Sequence, residues 1–176
     1  MIAQYKYSET ELKQLLKTLT VICDTREQQN QHITGYFTQR SIPYISRGLS
    51  FGDYSYLLPA RPEMGINRDL YFTGNICIER KANLEELSGN LTQQREKFEA
   101  EFLRAGACSI TLMIESGSYA GIINHEYKTD FSEKAFLASL MAWQQRYNIH
   151  VAFVPAALAG QYIYGLFYYH LREQLK

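Results

Sequence analysis

The chain has 176 residues, of which 46% are hydrophobic, and its formal net charge is zero. This length is sufficient for one compact domain with a sizeable core, so we expect a single domain over residues 1–176. The composition excludes a disordered chain and a strongly basic polyanion-binding protein. Composition by itself therefore does not point to DNA.

Cysteine and histidine usage indicates an intracellular protein without structural zinc. The three cysteines each lie in an apolar run and are odd in number, which argues against a disulfide framework and for a reducing compartment. The four histidines lack the spacing of a zinc site, so we expect no zinc. No apolar stretch reaches the ~18 residues of a membrane span, and the polar start has no signal-peptide core. We expect a cytoplasmic protein of bacterial or viral origin without membrane contact, or a nuclear one in a eukaryote.

The first half of the chain predicts two helices and three strands. Ser8 and Glu11 form a capping-box pattern, which predicts an N-terminal helix over 9–19. The run TVIC then predicts a buried strand, and a helix is expected within 28–40 before Pro43 interrupts the pattern. GDYSYLL and NICIERK follow as strands, and they are separated by a polar loop over 59–75.

The second half alternates helices with apolar strands. Helices are predicted over 83–105, over 132–146 with Ser132 as the cap, and over about 157–174. ACSITLMIE and IHVAFVP predict two further buried strands between them. The alternation predicts an α/β fold with a mixed β-sheet flanked by helices and a core over about 20–155.

Acidic residues lie at the ends of successive predicted strands. Asp24 and Glu27 end the first strand, Asp53 begins the second, and Glu79 is near the end of the third. Alternation along a strand places Glu79 and Lys81 on one face. Carboxylates such as those of Asp53 and Glu79 are the oxygen ligands that Mg²⁺ prefers. A neighbouring ammonium can orient the attacking water and offset phosphate charge, so the pattern is suited to phosphodiester hydrolysis.

Each of these signals has an ordinary alternative. A Glu-x-Lys triplet on a strand is usually a solvated face, and Gly52-Asp53 is commonly a turn. The apolar context favours the functional interpretation, because ICIERK places three charges directly after a run that should be buried. Charged groups in such a place need partners or a metal.

Three motifs together resemble a known family. VICDTRE at 21–27, GDY at 52–54 and IERK at 78–81 are similar to the nuclease domain of the XPF, Hef and Mus-type structure-selective endonucleases. That family belongs to the PD-(D/E)-x-K class with the restriction-endonuclease-like fold. The resemblance continues through QQREKFEAEFLRAG and LMIE and covers residues 20–155.

The resemblance implies a metal-dependent DNA endonuclease that acts on branched, flap or fork DNA with Mg²⁺ or Mn²⁺. It implies metal ligands at Asp53, Glu79, Asp24 and Glu27, with Lys81 as the catalytic lysine. Arg26 and Arg80 match family positions, and they are expected to orient carboxylates or contact the phosphate backbone. For Arg80, a role through its backbone carbonyl is an alternative.

The sequence also departs from the family pattern. An acidic residue usually follows the E-R-K motif, and here either Glu85 or Glu86 takes that place. The chain has no room for the helix-hairpin-helix module or helicase of many members, and neutral charge suits tight DNA binding poorly. A helicase or DNA-binding partner is therefore one expectation. Arg95 is a weaker candidate for DNA contact, because its charge also fits a solvated helix face. The loop over 59–75 is either a substrate-facing insertion or a tolerated surface loop.

The C-terminal helix carries more aromatic residues than one buried stripe can hold. The segment 162–169 predicts the centre of a homodimer interface with the helix over 133–146 beside it, whereas the alternative is packing on the core alone. Two alternative functions remain. One is a catalytically silent subunit that binds DNA or a nuclease partner, and the other is a restriction or RNA-processing nuclease that shares only the fold.

Overall fold

A computed structural model describes residues 7–176 of the chain. Among these residues the strands are β1 (Thr20–Cys23), β2 (Tyr44–Ser46), β3 (Tyr54–Leu58), β4 (Leu70–Tyr71), β5 (Ile76–Asn83), β6 (Ser109–Ser116) and β7 (Ile149–Phe153). The α-helices are α1 (Glu9–Leu16), α2 (Gln31–Gln39), α3 (Leu84–Leu91), α4 (Arg95–Ala105), α5 (Tyr119–Ile123), α6 (Glu133–Tyr147) and α7 (Ala159–Leu175). Two short 3-10 helices, Pro62–Met64 and Ala156–Leu158, complete the regular structure of this range.

The strands form one mixed sheet in the order β2-β1-β3-β5-β6-β7, and β4 pairs with β3. β3 is antiparallel to both β1 and β5, whereas β5, β6 and β7 run parallel. Helical connections link the parallel strands, as crossover geometry requires. The prediction of an α/β fold with a mixed sheet and flanking helices is confirmed.

The sheet has two covered faces, which we name by their principal helices. On the α7 face, Val21, Tyr56 and Met113 join a core cluster with residues of α1, α2 and α7. On the α6 face, Cys77 and Leu112 join a second cluster with residues of α3, α4, α5 and α6. Alternation along each strand separates these two side-chain sets, so every strand residue belongs to one face.

Two predicted helices differ from the structure in extent. The capping box of Ser8 and Glu11 is present, but α1 ends at Leu16, where the chain turns toward β1. The prediction of one continuous helix over 83–105 is wrong, because the chain leaves helical geometry at Thr92 with φ −111° and ψ −85°. The break gives α3 and α4 separate axes, so each buries its own apolar residues in the cluster of the α6 face.

The segment 59–75 is packed against the core. It contains the 3-10 helix Pro62–Met64 and the strand β4, and it buries Ile66 and Phe72. The Phe72 ring stacks on Tyr56 with 4.6 Å between centroids, which ties the segment to the α7 face. Within residues 7–176, no helix has the length and apolarity to cross a membrane.

Candidate active site

The predicted acidic residues converge where β1, β3 and β5 meet. Backbone hydrogen bonds of 2.8 Å run from Asp24 N to Asp53 O and from Asp53 N to Ile78 O. The pairing of Cys23 with Tyr54, and of Tyr54 with Ile78, sets Asp24, Asp53 and Glu79 side by side on the α6 face. These three side chains therefore form a row across the sheet.

Gly52 allows this close approach of β3 to β5. Its φ of +71° lies in the left-handed region, and a Cβ there would lie 3.0 Å from Cys77 Sγ and 3.3 Å from Ile78 O. A residue with a side chain would be strained by conformation and crowded by neighbours. The Gly-Asp pair is therefore not only a turn, because Gly52 lets the chain approach β5 and places Asp53 beside it.

Glu79 and Lys81 form a buried ion pair on the α6 face. Lys81 Nζ donates to Glu79 Oε1 at 2.8 Å and lies 3.5 Å from Glu86 Oε1. The ammonium also lies 4.6 Å from the centroid of the Phe98 ring on α4. Burial opposes the charge of Lys81, but the neighbouring carboxylates hold its pKa above its ordinary value. Lys81 is therefore charged, and helix α4 provides the wall beside it.

Asp53 and Glu79 carry more negative charge than the site neutralises. Burial and the charge of Glu79 raise the pKa of Asp53 well above its ordinary value, and burial also raises the pKa of Glu79 despite Lys81. Asp53 Oδ2 accepts a 2.7 Å hydrogen bond from the backbone N of Arg80. Asp53 Oδ1 and Glu79 Oε2 accept no hydrogen bond from the described part of the chain. Two adjacent carboxylates thus retain oxygens for a further cation.

Arg80 lies on the opposite face, in a separate buried network. Its guanidinium donates two hydrogen bonds of 2.8 Å to the Glu115 carboxylate and a third of 3.2 Å to Glu27 Oε1. His32 Nε2 lies 2.8 Å from Glu115 Oε1. Burial opposes ionisation of both main partners, but their mutual hydrogen bonds raise the pKa of Arg80 and lower the pKa of Glu115. The backbone N–H of Arg80 contacts the site through Asp53, and a role for its carbonyl stays a prediction.

Asp24 is buried, and protein donors occupy both of its oxygens. Arg26 donates to it from its backbone N at 2.8 Å and from Nε at 2.7 Å, and Leu49 N donates to Oδ2 at 2.6 Å. Burial acts to raise the pKa of Asp24, but these hydrogen bonds hold it below its ordinary value. In this arrangement Asp24 anchors Arg26 and the 47–51 loop beside the row of carboxylates.

The structure groups the predicted site residues unevenly. It brings Asp53, Glu79 and Lys81 together, whereas Glu27 contacts Arg80 and Asp24 contacts Arg26. No group of three or more His, Cys, Asp or Glu side chains is arranged to hold a metal within residues 7–176. The metal-ligand roles of Asp24, Glu27, Asp53 and Glu79 therefore remain predictions.

The remaining candidates also have defined neighbours. Glu86, not Glu85, is the acidic residue near Lys81, and it also accepts from Ala82 N at 2.9 Å. Arg95 contacts Ser139 at 3.1 Å and Glu99 at 3.4 Å, so its DNA contact stays a prediction. The sequence interpretation missed Glu115 and His32, although LMIE, the run that ends at Glu115, places a charge after a buried strand just as ICIERK does.

A family model matches the part of the chain that carries the site. The ERCC4 domain model matches residues 23–166, which include every predicted catalytic residue. The chain belongs to the ERCC4 domain family. The predicted XPF-type nuclease domain is therefore confirmed for this ERCC4 domain. No curated protein matches the chain significantly.

Solved structures of XPF from Aeropyrum pernix share the fold of this ERCC4 domain. One has a TM-score of 0.64 at 18% identity, and the match covers 89% of this chain and 64% of that one. A second structure, XPF from Aeropyrum pernix in complex with DNA, has a TM-score of 0.62 at 18% identity. That match covers 89% of this chain and 67% of the XPF chain. The chain thus spans slightly less than two thirds of the first structure's length. At this identity the likeness shows the fold alone.

Proposed function

We propose that this ERCC4 domain is a divalent-metal-dependent DNA endonuclease with Asp53, Glu79 and Lys81 at its catalytic centre. The observation that carries the proposal is a pair of carboxylates, half-buried Asp53 and buried Glu79, each with a free oxygen, beside one buried ammonium. A purely structural ion pair would not need the second carboxylate, whose burial next to Glu79 is unfavourable. Membership of the ERCC4 domain family supports the same assignment.

The residues present fit a hard divalent cation. Asp53 Oδ1 and Glu79 Oε2 are the carboxylate oxygens that would hold Mg²⁺ or Mn²⁺, and the excess negative charge at the pair favours a cation there. Such an ion supplies charge neutralisation at the phosphate and an acidified water. Solvent would complete the ligand set, because Glu27 is held by Arg80 on the opposite face.

The chain's own residues contribute orientation and charge. The Arg80 backbone N–H fixes the Asp53 carboxylate, and the Arg80 side chain is itself immobilised by Glu115 and Glu27. Lys81 carries a positive charge beside Glu79, where it stabilises the negative charge that develops on the phosphate during hydrolysis. The Phe98 ring excludes water from one side of that ammonium.

For the substrate we propose branched, flap or fork DNA. The ERCC4 and XPF-type families comprise structure-specific endonucleases, and one of the similar XPF structures is a complex with DNA. A partner with a DNA-binding module or a helicase is part of the proposal, because a net charge of zero gives the chain little non-specific affinity for DNA.

A cleavage panel tests the function. Single-stranded, duplex, flap and fork DNA are incubated with Mg²⁺, Mn²⁺ or excess chelator, and we expect metal-dependent cleavage that is fastest on branched DNA. Lys81→Met should reduce cleavage strongly with little loss of DNA binding, whereas the exposed Lys97→Met is the matched control. Undiminished cleavage in chelator would refute metal dependence. DNA binding without cleavage under any condition would instead support the silent-subunit alternative.

We also propose a homodimer through α7. Ile163 and Phe167 are fully buried within the chain, so part of the aromatic coat packs on the core, as the alternative interpretation expected. A groove of about 670 Å³ nevertheless lies between β7 and α7, with Tyr162, Leu166 and Tyr169 among its apolar lining. Tyr169 is 63% exposed, and an apolar groove beside exposed aromatic residues is typical of an interface.

Light scattering tests the dimer. Tyr169→Lys should convert the dimer to a monomer, because it places a charge in the apolar groove without changing the core. Leu103→Lys is the matched control, since Leu103 is 67% exposed on α4 and should leave the mass unchanged. A monomer mass for the unmodified chain at high micromolar concentration would contradict the dimer.

A further inference from the structure

Arg47 and Tyr71 lie on the same face of the sheet as the proposed catalytic residues. Arg47 follows β2, and its backbone N donates to Cys23 O at 3.0 Å, which continues the ladder of β1 and β2. Ile45 pairs with Ile22, and Tyr71 pairs with Leu57. Alternation along these strands puts Arg47 and Tyr71 on the α6 face with Asp53 and Glu79.

The Arg47 side chain is oriented but not neutralised. Its Nη1 donates to the Tyr71 hydroxyl at 2.6 Å, and its guanidinium carbon lies 4.6 Å from the centre of the Tyr71 ring. Both residues are exposed. Arg26, Arg61 and Arg95 each pair with a carboxylate, but Arg47 has no ion pair with any residue described. Its Nε and Nη2 therefore remain available to an anion.

The location is the part of the α6 face next to the catalytic centre. The core cluster of this face gathers around β5, β6 and the helices α3 to α6, whereas Arg47 and Tyr71 lie over β1 and β3. Arg47, Asp24, Asp53 and Glu79 stand on adjacent strands in that order. With about 4.8 Å between strands, the Arg47 backbone is roughly 14 Å from that of Glu79. That distance equals a few nucleotides at ~3.4 Å of axial rise each.

We propose that Arg47, held by Tyr71, is a binding site for a backbone phosphate of the DNA strand a few nucleotides from the bond to be cut. The inference rests on the proposed endonuclease function and names a subsite of its substrate. The carboxylate row repels a polyanion, so a strand that reaches it needs a fixed positive charge nearby. An arginine whose planar fork is already oriented loses little freedom when it binds phosphate.

DNA binding measured without cleavage tests this subsite. Fluorescence anisotropy of a labelled flap DNA is followed in calcium at several salt concentrations. Arg47→Ala should weaken binding roughly tenfold at low salt and lower the salt slope by about one. Arg40→Ala is the matched control, because Arg40 is also exposed and also lies over a tyrosine, Tyr36, at 5.8 Å, but belongs to the α7 face. It should change neither quantity.

A second variant separates orientation from charge. Tyr71→Phe keeps the ring and removes the 2.6 Å hydrogen bond, so it should weaken binding about two- to threefold while leaving the salt slope intact. Arg47→Lys should retain most of the slope and confirms that the surface tolerates change. An Arg47→Ala variant that is folded and binds like the unmodified chain would overturn the subsite and leave the endonuclease proposal standing. Failure of the unmodified chain to bind any DNA would reject the function itself, and the subsite with it.

Discussion

The two faces of β5 carry similar charged residues, but the pKa of a carboxylate is lowered on one face and raised on the other. On the α7 face, the Arg80 guanidinium meets the Glu115 and Glu27 carboxylates through three hydrogen bonds. On the α6 face, one Lys81 ammonium stands beside two carboxylates, Asp53 and Glu79, whose pKa values are raised. Each set has one cation for two carboxylates, but in the first set both carboxylates accept hydrogen bonds from the cation, whereas in the second Asp53 accepts none from Lys81.

This difference separates a structural network from a functional one. Charges are buried in proteins when partners compensate their lost hydration, and the Arg80 network meets that condition. The Asp53 and Glu79 pair does not meet it with Lys81 alone, because both carboxylate pKa values stay raised, so its position is unfavourable for the fold alone. Unfavourable local charge of this kind is characteristic of sites that bind or react. The Arg80 network also holds the Asp53 and Glu79 pair in place, because the Arg80 backbone N–H donates to Asp53.

The largest expected effect is on the cleavage rate, when a carboxylate charge is removed on the α6 face. Asp53→Asn should lower the cleavage rate roughly a thousandfold or more, about 4 kcal/mol, because a metal ligand is lost. It should also stabilise the metal-free fold by roughly 1 kcal/mol, since repulsion with Glu79 disappears and the amide oxygen still accepts from Arg80 N. Single-turnover kinetics and denaturant unfolding measure the two effects.

The exposed Asp130→Asn serves as the control for this substitution and should change neither quantity. Loss of cleavage together with loss of stability would contradict the distinction, because it would place Asp53 in the structural network.

A smaller effect, on the free energy of unfolding, is expected in the Arg80 network of the α7 face. Glu115→Ala should destabilise the fold by about 3 kcal/mol, because it leaves the buried Arg80 guanidinium without its main partner. Glu133→Ala removes a carboxylate from another histidine–glutamate contact, His125 to Glu133 at 2.7 Å, but at a partly exposed position. Its loss of stability in urea should be clearly smaller. Equal losses would show that the Arg80 network is no more important than a surface pair.

The sequence predicted the local part of this comparison. Strand alternation correctly placed Glu79 and Lys81 on one face and Arg80 on the other, since that requires only neighbouring residues. Predicting that Asp24, Asp53 and Glu79 lie side by side requires the order of strands in the sheet. Local patterns do not give that order, and the grouping came from the family resemblance. Glu115 was not assigned a role, because its contact with Arg80 spans 35 positions and depends on the register between β5 and β6.

Several features depended on tertiary packing and left no local signal. The break at Thr92 contains neither glycine nor proline, so the helical pattern continued across it. Asp24 looked like a free carboxylate, but a loop 25 residues further along the chain donates to it through Leu49. Arg47 and Tyr71, separated by 24 positions, meet only because β2 and β4 lie on one sheet.

The smallest expected effects are on the pH dependence of stability in the absence of divalent metal. The contributions of Asp53 and Glu115 to the free energy of unfolding should change with pH in opposite directions. The folded pKa of Asp53 is raised, so above about pH 4 the unfolded chain releases this proton first and the unmodified protein loses stability relative to Asp53→Asn. The gap should widen with rising pH and become constant once the pH exceeds the folded pKa. The folded pKa of Glu115 is lowered, so its stabilisation is present above its ordinary pKa and is lost as the pH falls through the folded value.

The advantage of the unmodified protein over Glu115→Gln should therefore be greatest near neutral pH and should shrink on acidification below about pH 4. Urea unfolding of the three proteins between pH 3 and 8 measures both trends. Parallel curves for Asp53→Asn and the unmodified protein would mean that Asp53 is ionised in the fold without strain. In that case Lys81 and the Arg80 backbone N–H would by themselves compensate the Asp53 charge, and the need for a further cation at the pair would disappear.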